Sequence, residues 1–301
     1  MTATFAPADD GLIHSETIEI NAVAGCNLSC RACSHTSPVL APKSVADPAS
    51  VRRDLTLLAR CYRADHVRVL GGEPLLHPDL LGLVTAIRAS GITDRVRIVT
   101  NGILLPRQGN EFWAAVDEVH VSVYPGYEPS ADGLAQWRTM AAQHDVDILI
   151  RHYDHFRESY SEIGTEDTGL VSRIYRTCLI AHVWLCHNVI DGVFYKCPQS
   201  HFVALAGGPA ARDGVAITED TDFPARLLAY LNDDQPLRSC RYCLGAVGQR
   251  IPHTQVRQSR WRAPQRRPGA DMVDYDFLAT LEDVDPTASN SCIADEEVLR
   301  P

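Results

Sequence analysis

The chain has 301 residues, 45% hydrophobic and 22% charged, and its 28 Lys and Arg against 38 Asp and Glu give a net charge of −10. That length suits one large α/β domain with a smaller module. The acidic balance argues against a nonspecific phosphate-backbone binder and suits a cationic small substrate.

Met1–Ser15 is polar, without a basic start or a long apolar core, so no secretory leader is expected. No run reaches the roughly 18 apolar residues of a membrane span. Ten cysteines in such a chain read as metal ligands rather than disulfides, and a cytoplasmic location follows as an expectation.

In chain order, Thr17–Val23 reads as a strand leading into Gly25-Cys-Asn-Leu-Ser-Cys-Arg-Ala-Cys33, a C-x3-C-x2-C loop. Three thiolates fall short by one of the four ligands of a [4Fe–4S] cube and would leave an open iron. The alternative is a zinc site closed by His35. Ser50–Tyr62 reads as a helix, and Val67–Leu70 as a buried strand entering Gly71-Gly72-Glu73-Pro74. Two glycines there permit close backbone approach. Leu80–Ser90 is helical with Gly91 at its end. The strand Val96–Thr100 leads to Asn101-Gly102, and Val119–Tyr124 to Pro125-Gly126. Ala131–His144 is a helix followed by the strand Val146–Arg151. This βα rhythm predicts a parallel sheet, with its sites at the carboxyl ends of the strands.

The three-Cys loop after one strand and Gly-Gly-Glu-Pro after the next together resemble the radical S-adenosylmethionine (SAM) family. The resemblance implies a partial (β/α)6 barrel over about 12–160. Cys26, Cys30 and Cys33 would be cluster ligands. Gly71, Gly72, Glu73 and Pro74 would bind SAM, the carboxylate holding its amine. Polar residues at later strand ends, Asn101, Ser122 and Tyr124, would bind SAM ribose or carboxylate; the other reading of Asn101-Gly102 is a plain turn. Arg151 would hold the SAM carboxylate or a substrate oxygen, or else form a surface ion pair. One departure is Ala32, where the family commonly has an aromatic residue near adenine.

Beyond 160 the rhythm stops. Val183–Ile190 and Val193–Cys197 read as a hairpin turning at Asp191-Gly192. Cys178, thirteen residues, Gly192, four residues, Cys197 and a distant Cys240-x2-Cys243 resemble the twitch module, the short form of the SPASM extension. By that resemblance Cys178, Cys197, Cys240 and Cys243 would hold a second [4Fe–4S] cluster, structural zinc being the alternative. The module spans 161–262, and an acidic, partly ordered extension 263–301. The fold class is therefore α/β, a radical SAM barrel with a small Cys-rich module.

Cys186 is spare. On an alternating strand it faces opposite Leu185 and His187, and it is a buried apolar residue, a hydrogen-atom donor or a replacement ligand. Cys61 and Cys292 read as incidental. His182, His187 and His253 are polar candidates. The segment 244–255 would bring Arg250, His253 or Gln255 near substrate.

The resemblance implies a 5′-deoxyadenosyl radical that abstracts hydrogen from carbon. The spare thiol and the twitch spacing resemble aminoglycoside-pathway members, an epimerase and an aminocyclitol dehydrogenase. The expected reaction is epimerisation, slightly favoured through Cys186, or alcohol oxidation, on a cationic sugar-like substrate. Modification of a ribosomally made peptide is the alternative. Catalytic candidates are Cys186 and Arg151. The expected partners are the small-molecule substrate and an electron donor such as flavodoxin or ferredoxin, with neither nucleic acid nor membrane.

Overall fold

A computed structural model describes residues 3–40, 44–206 and 213–283. Strands β1 (Ile13–Val23), β2 (Tyr62–Gly71), β3 (Arg95–Thr100), β4 (Glu118–Val123) and β5 (Asp147–His152) alternate with helices α1 (Pro48–Leu58), α2 (Leu80–Ala89), α3 (Asn110–Ala115) and α4 (Ala131–Gln143). Asp47, Asp79 and Ser130 cap α1, α2 and α4 by accepting a backbone N–H. Each such cap stabilises its helix start by about 1 kcal/mol. The strands pair in parallel, and one face of each is apolar. Ile18, Ile20, Val67, Val69, Val96, Ile98 and Val119 are fully or almost fully buried against Leu55, Leu58, Leu83, Ile87 and Trp113 of the helices.

The opposite face is polar. Register aligns Asn188, Glu19, Arg68, Arg97, Glu118 and Asp147 across six strands. Glu19 pairs with Arg68 at 3.8 Å, and Glu118 with Arg97. Charges of opposite sign are neutralised here inside the barrel, below its carboxyl-end mouth.

Strands β1–β5 and the four helices between them are the five strands expected from the sequence over 12–160, and the sixth parallel strand comes from beyond that range. A short β6 (His155–Arg157) leaves the sheet. After α5 (Thr168–Arg176) and α6 (Leu179–His182), β7 (His187–Ile190) returns to pair in parallel with β1, supplying a sixth parallel strand at the other edge. Strand β8 (Val193–Tyr195) and, after α7 (Gln199–Leu205), β9 (Gly214–Ala216) extend that edge antiparallel. Helix α8 (Phe223–Asn232) then buries Phe223, Leu227 and Leu231 in the barrel's apolar core. Strand β10 (Arg250–Pro252) pairs with β6, and α9 (Tyr275–Glu282) packs Leu278 and Leu281 into a second cluster with Leu170, Ile174 and Val247. Helix α9 lies within the extension expected at 263–301; Cys292 lies outside the described residues.

Candidate active site

The two sequence motifs are locked backbone to backbone. Gly72 N–H donates to Val23 O at 2.7 Å, and Glu73 N–H to Gly25 O at 3.0 Å. A Cβ on Gly72 would lie 2.0 Å from Gly25 O, and one on Gly71, whose φ is +132°, 2.5 Å from Val23 O. Only glycine allows the end of β2 to approach the cysteine loop this closely.

Glu73 is fully buried. Its carboxylate accepts from Thr100 Oγ1 at 2.6 Å, Asn101 N at 2.8 Å and Leu75 N at 3.0 Å. Burial raises its pKa, and these three donors oppose the rise. These bonds fix the end of β3 against that of β2, and Glu73 is not among the residues of the cavity wall. Pro74 opens a 3-10 turn and is likewise off the wall.

That wall bounds a cavity of about 370 Å³ at the carboxyl ends of the strands. Cys26, Cys30 and Cys33 line it together with Gly71, Gly72, Asn101, Ser122 and Tyr124. Asn101 Nδ2 donates to Asn27 Oδ1 at 2.7 Å and lies 3.8 Å from Cys26 Sγ. Gln255 crosses from the far end of the chain. Its Nε2 donates to Cys30 Sγ at 3.2 Å, while its Oε1 accepts Ser29 N at 2.6 Å. His253 stacks on Tyr124 with centroids 4.6 Å apart. The segment 244–255 thus reaches the mouth, with Arg250 exposed beside Asp154. Burial pushes the Cys26 and Cys30 thiols up to about 12, with the neighbouring Cys33 adding to it. Binding of a metal there would release the thiol protons.

The second set is also assembled. Cys178, Cys197, Cys240 and Cys243 line one narrow apolar pocket with Ile174, Ile180 and Gly245. Gly245 N–H donates to Cys243 Sγ at 3.2 Å. Burial and the Cys178 neighbour push Cys197 up to about 12. Beside it lies Lys196, 2% exposed, donating to Tyr175 Oη at 2.9 Å and Asp233 O at 2.8 Å. A buried ammonium bonded only to neutral oxygens is costly, and an anionic group at the thiols would offset its charge. Lys196 is one of two lysines in the sequence, directly beside Cys197, a feature that sequence reasoning passed over.

The donors of both sets are thiols, the ligand type of iron–sulfur cubes. All nine described cysteines are free, and among the described residues no three His, Cys, Asp or Glu form a group able to hold one metal ion. A cube takes one thiolate at each iron corner, so its ligands surround a volume rather than a point. Cys26, Cys30 and Cys33 would hold the first cluster, and Cys178, Cys197, Cys240 and Cys243 the second.

Other candidates fall elsewhere. Arg151 lies on the edge strand β5 with its side chain exposed, off the cavity wall. Cys186 is not on a strand. Leu185 before it has φ +46°, which breaks the expected alternation, and β7 starts only at His187. Its thiol is buried against Glu19 and off the cavity wall. Cys61 sits in the apolar core. His182 bonds Tyr175 O and His187 bonds Tyr62 Oη, both within the fold. His35 lines the cavity, its pKa lowered to about 4 by burial. Sequence reasoning missed Tyr153, Phe156, Trp184, Gln199 and Phe277 on the wall, which meet only through tertiary packing.

Residues 20–169 match the Radical SAM superfamily. The chain carries a radical SAM domain. Its curated relatives include the GTP 3′,8-cyclase of Chlorobaculum tepidum, 34% identical over 107 residues (35% of this chain, 32% of that one). The 7-carboxy-7-deazaguanine synthase of Halobacterium salinarum is 36% identical over 128 residues, 41% of this chain and 45% of that one. The chain spans less than half the length of either. Among solved structures, BtrN in complex with AdoMet and 2-DOIA aligns at TM-score 0.42 and 18% identity, covering 63% of this chain and 75% of that one. Streptococcus suis SuiB aligns at TM-score 0.38 and 14% identity, covering 74% and 67%. No helix of the radical SAM chain, among its described residues, is long and apolar enough to cross a membrane.

Proposed function

We propose that this radical SAM protein is an oxidoreductase that removes hydrogen from a hydroxyl-bearing carbon of a small sugar-like or aminocyclitol molecule. One observation carries the reading: the cavity lined by the first thiol set adjoins the pocket lined by the second. Gln199, Ile180 and Gly245 are shared between its wall and the pocket of the second set. When bound, SAM and the first cluster supply a carbon radical that abstracts hydrogen, and the second cluster supplies an acceptor for the remaining electron.

The chain's own residues bind and shelter. Gly71, Gly72, Asn101, Ser122 and Tyr124 form the end of the cavity nearest the first thiol set, the end suited to SAM. Ser159 and Gln199 line the same wall, and their buried Oγ and Oε1 have no hydrogen-bond partner among the described residues. An unpaired buried oxygen costs about 1–3 kcal/mol, and a rotation of either side chain toward the cavity would let it meet a substrate hydroxyl. Tyr153, Phe156, Trp184 and Phe277 exclude water.

Among the described residues the wall holds no Asp or Glu, and the one guanidinium on it, Arg157, is paired with Asp274 at 2.9 Å. The described wall residues suit substrate hydroxyls, while the net charge suits a cationic substrate. Cys186, off the wall, favours oxidation over epimerisation. A panel of aminocyclitols and polyols, incubated in deuterated water with the reconstituted protein, SAM and dithionite, tests this. A ketone two daltons lighter supports oxidation. One solvent deuterium at an inverted carbon would replace it with epimerisation.

A further inference from the structure

The cysteine loop is covered by a segment of unusual charge. Between residues 235 and 270 there are eight arginines and no Asp or Glu, in a chain whose net charge is −10. This segment is built onto the loop. Arg31 N–H donates to Thr254 O at 2.8 Å, and Val256 N–H to Ser29 O at 2.9 Å. Trp261 Nε1 donates to Cys30 O at 2.8 Å. Gln255 is itself exposed, so the surface lies one hydrogen bond from the Cys30 sulfur.

Guanidinium groups crowd that surface. Glu158 serves both Arg31 and Arg267, and Glu162 both Arg262 and Arg266. Arg257 and Arg260 are exposed and have no carboxylate partner among the described residues. Among the described residues, six guanidiniums on this face thus meet two carboxylates, a surplus of four positive charges. Arg257 follows Gln255 by two residues, and Arg260 precedes Trp261, so the two unpaired charges lie in the chain between the two side chains that bond Cys30.

We infer that this face is the docking surface for an acidic one-electron carrier protein. The inference rests on the functional reading above, which requires an electron at the first thiol set. A chain of net charge −10 would otherwise repel an acidic carrier. A local cationic patch offsets that repulsion and steers encounter, an effect worth about 10- to 1,000-fold in association rate and screened by salt. The patch also orients the carrier toward the Gln255–Cys30 contact, where the path to the sulfur is shortest.

The test compares the reconstituted wild-type protein with Arg257→Glu/Arg260→Glu, both residues being exposed. SAM cleavage is driven either by reduced flavodoxin, an acidic carrier, or by dithionite, which needs no docking face. The expected result is an approximately tenfold or greater fall in the flavodoxin-driven rate at low salt. The dithionite rate should stay within about twofold. The wild-type flavodoxin rate should fall with added salt and that of the variant should not, and Arg257→Lys/Arg260→Lys should restore most of the rate. An unchanged flavodoxin rate would overturn the inference. So would equal losses with both reductants, which would assign the patch to folding or to an anionic substrate or nucleic acid. Absence of cleavage by wild type with dithionite would instead remove the underlying functional reading.

Discussion

Replacing Gly72 with alanine strikes the joint between the two motifs. The added Cβ would lie 2.0 Å from Gly25 O, 2.4 Å from Gly25 C and 2.8 Å from Ala24 O. All three are backbone atoms, so no side chain can rotate out of the way. The two loops must separate by more than 1 Å to reach ordinary contact, at which the 2.7 Å and 3.0 Å bonds of Gly72 N and Glu73 N are lost. Overpacking costs about 1–3 kcal/mol, and two backbone bonds about 0.5–1.5 kcal/mol each. The sum is about 2–6 kcal/mol, against a typical total stability of about 5–15 kcal/mol. Thermal unfolding of the apo protein should drop by about 4 °C or more. Reconstituted iron and SAM affinity should fall with it, because Cys26 and Gly72 stand on opposite sides of this joint. Gly109→Ala, where a Cβ meets nothing within 4 Å, is the control. It should cost no more than about 1 kcal/mol, as a helix N-cap change. Wild-type stability, iron and SAM binding in Gly72→Ala would refute the reasoning.

Alanine at Cys178, Cys197, Cys240 or Cys243 should reduce iron from about eight to about four per chain. SAM cleavage should be left in place and substrate oxidation abolished; intact oxidation would detach the second set from the reaction. Gln255→Leu removes the N–H donor to Cys30 and should shift the first cluster to a more negative potential in a titration followed by electron paramagnetic resonance. Gln255→Glu, which keeps the acceptor for Ser29 N, should shift it further, and an unmoved potential in both would contradict the assignment. Cys186→Ala should cost about 1 kcal/mol of packing with turnover retained; loss of product with SAM cleavage intact would restore the thiol hydrogen donor.

What the sequence made legible was mostly local. The strand ends that carry Cys26, Gly71, Asn101 and Ser122 follow from apolar runs punctuated by Gly and Asn, and they meet because parallel strands gather their carboxyl ends on one side. Gly71-Gly72 was legible as a close approach, but not what is approached: the first contact is the backbone of Val23 and Gly25. Glu73 illustrates the same limit. A carboxylate beside two glycines reads as a ligand, but not as the acceptor of bonds from Thr100, Asn101 and Leu75. Cys186 was misread because a period-two pattern was extended back through Leu185, whose positive φ no pattern reveals. Phe277 and Lys196 depend on contacts far apart in sequence. The apolar residues of α9 are scattered among Asp and Glu, so its reach to the cavity was hidden.

The most direct measurement is anaerobic. Reconstituted protein, SAM and dithionite are incubated together, and methionine and 5′-deoxyadenosine are quantified, with Cys30→Ala as the control. The account predicts both products in equal amounts from wild type and neither from the variant. An iron-loaded wild-type protein that leaves SAM intact would contradict it.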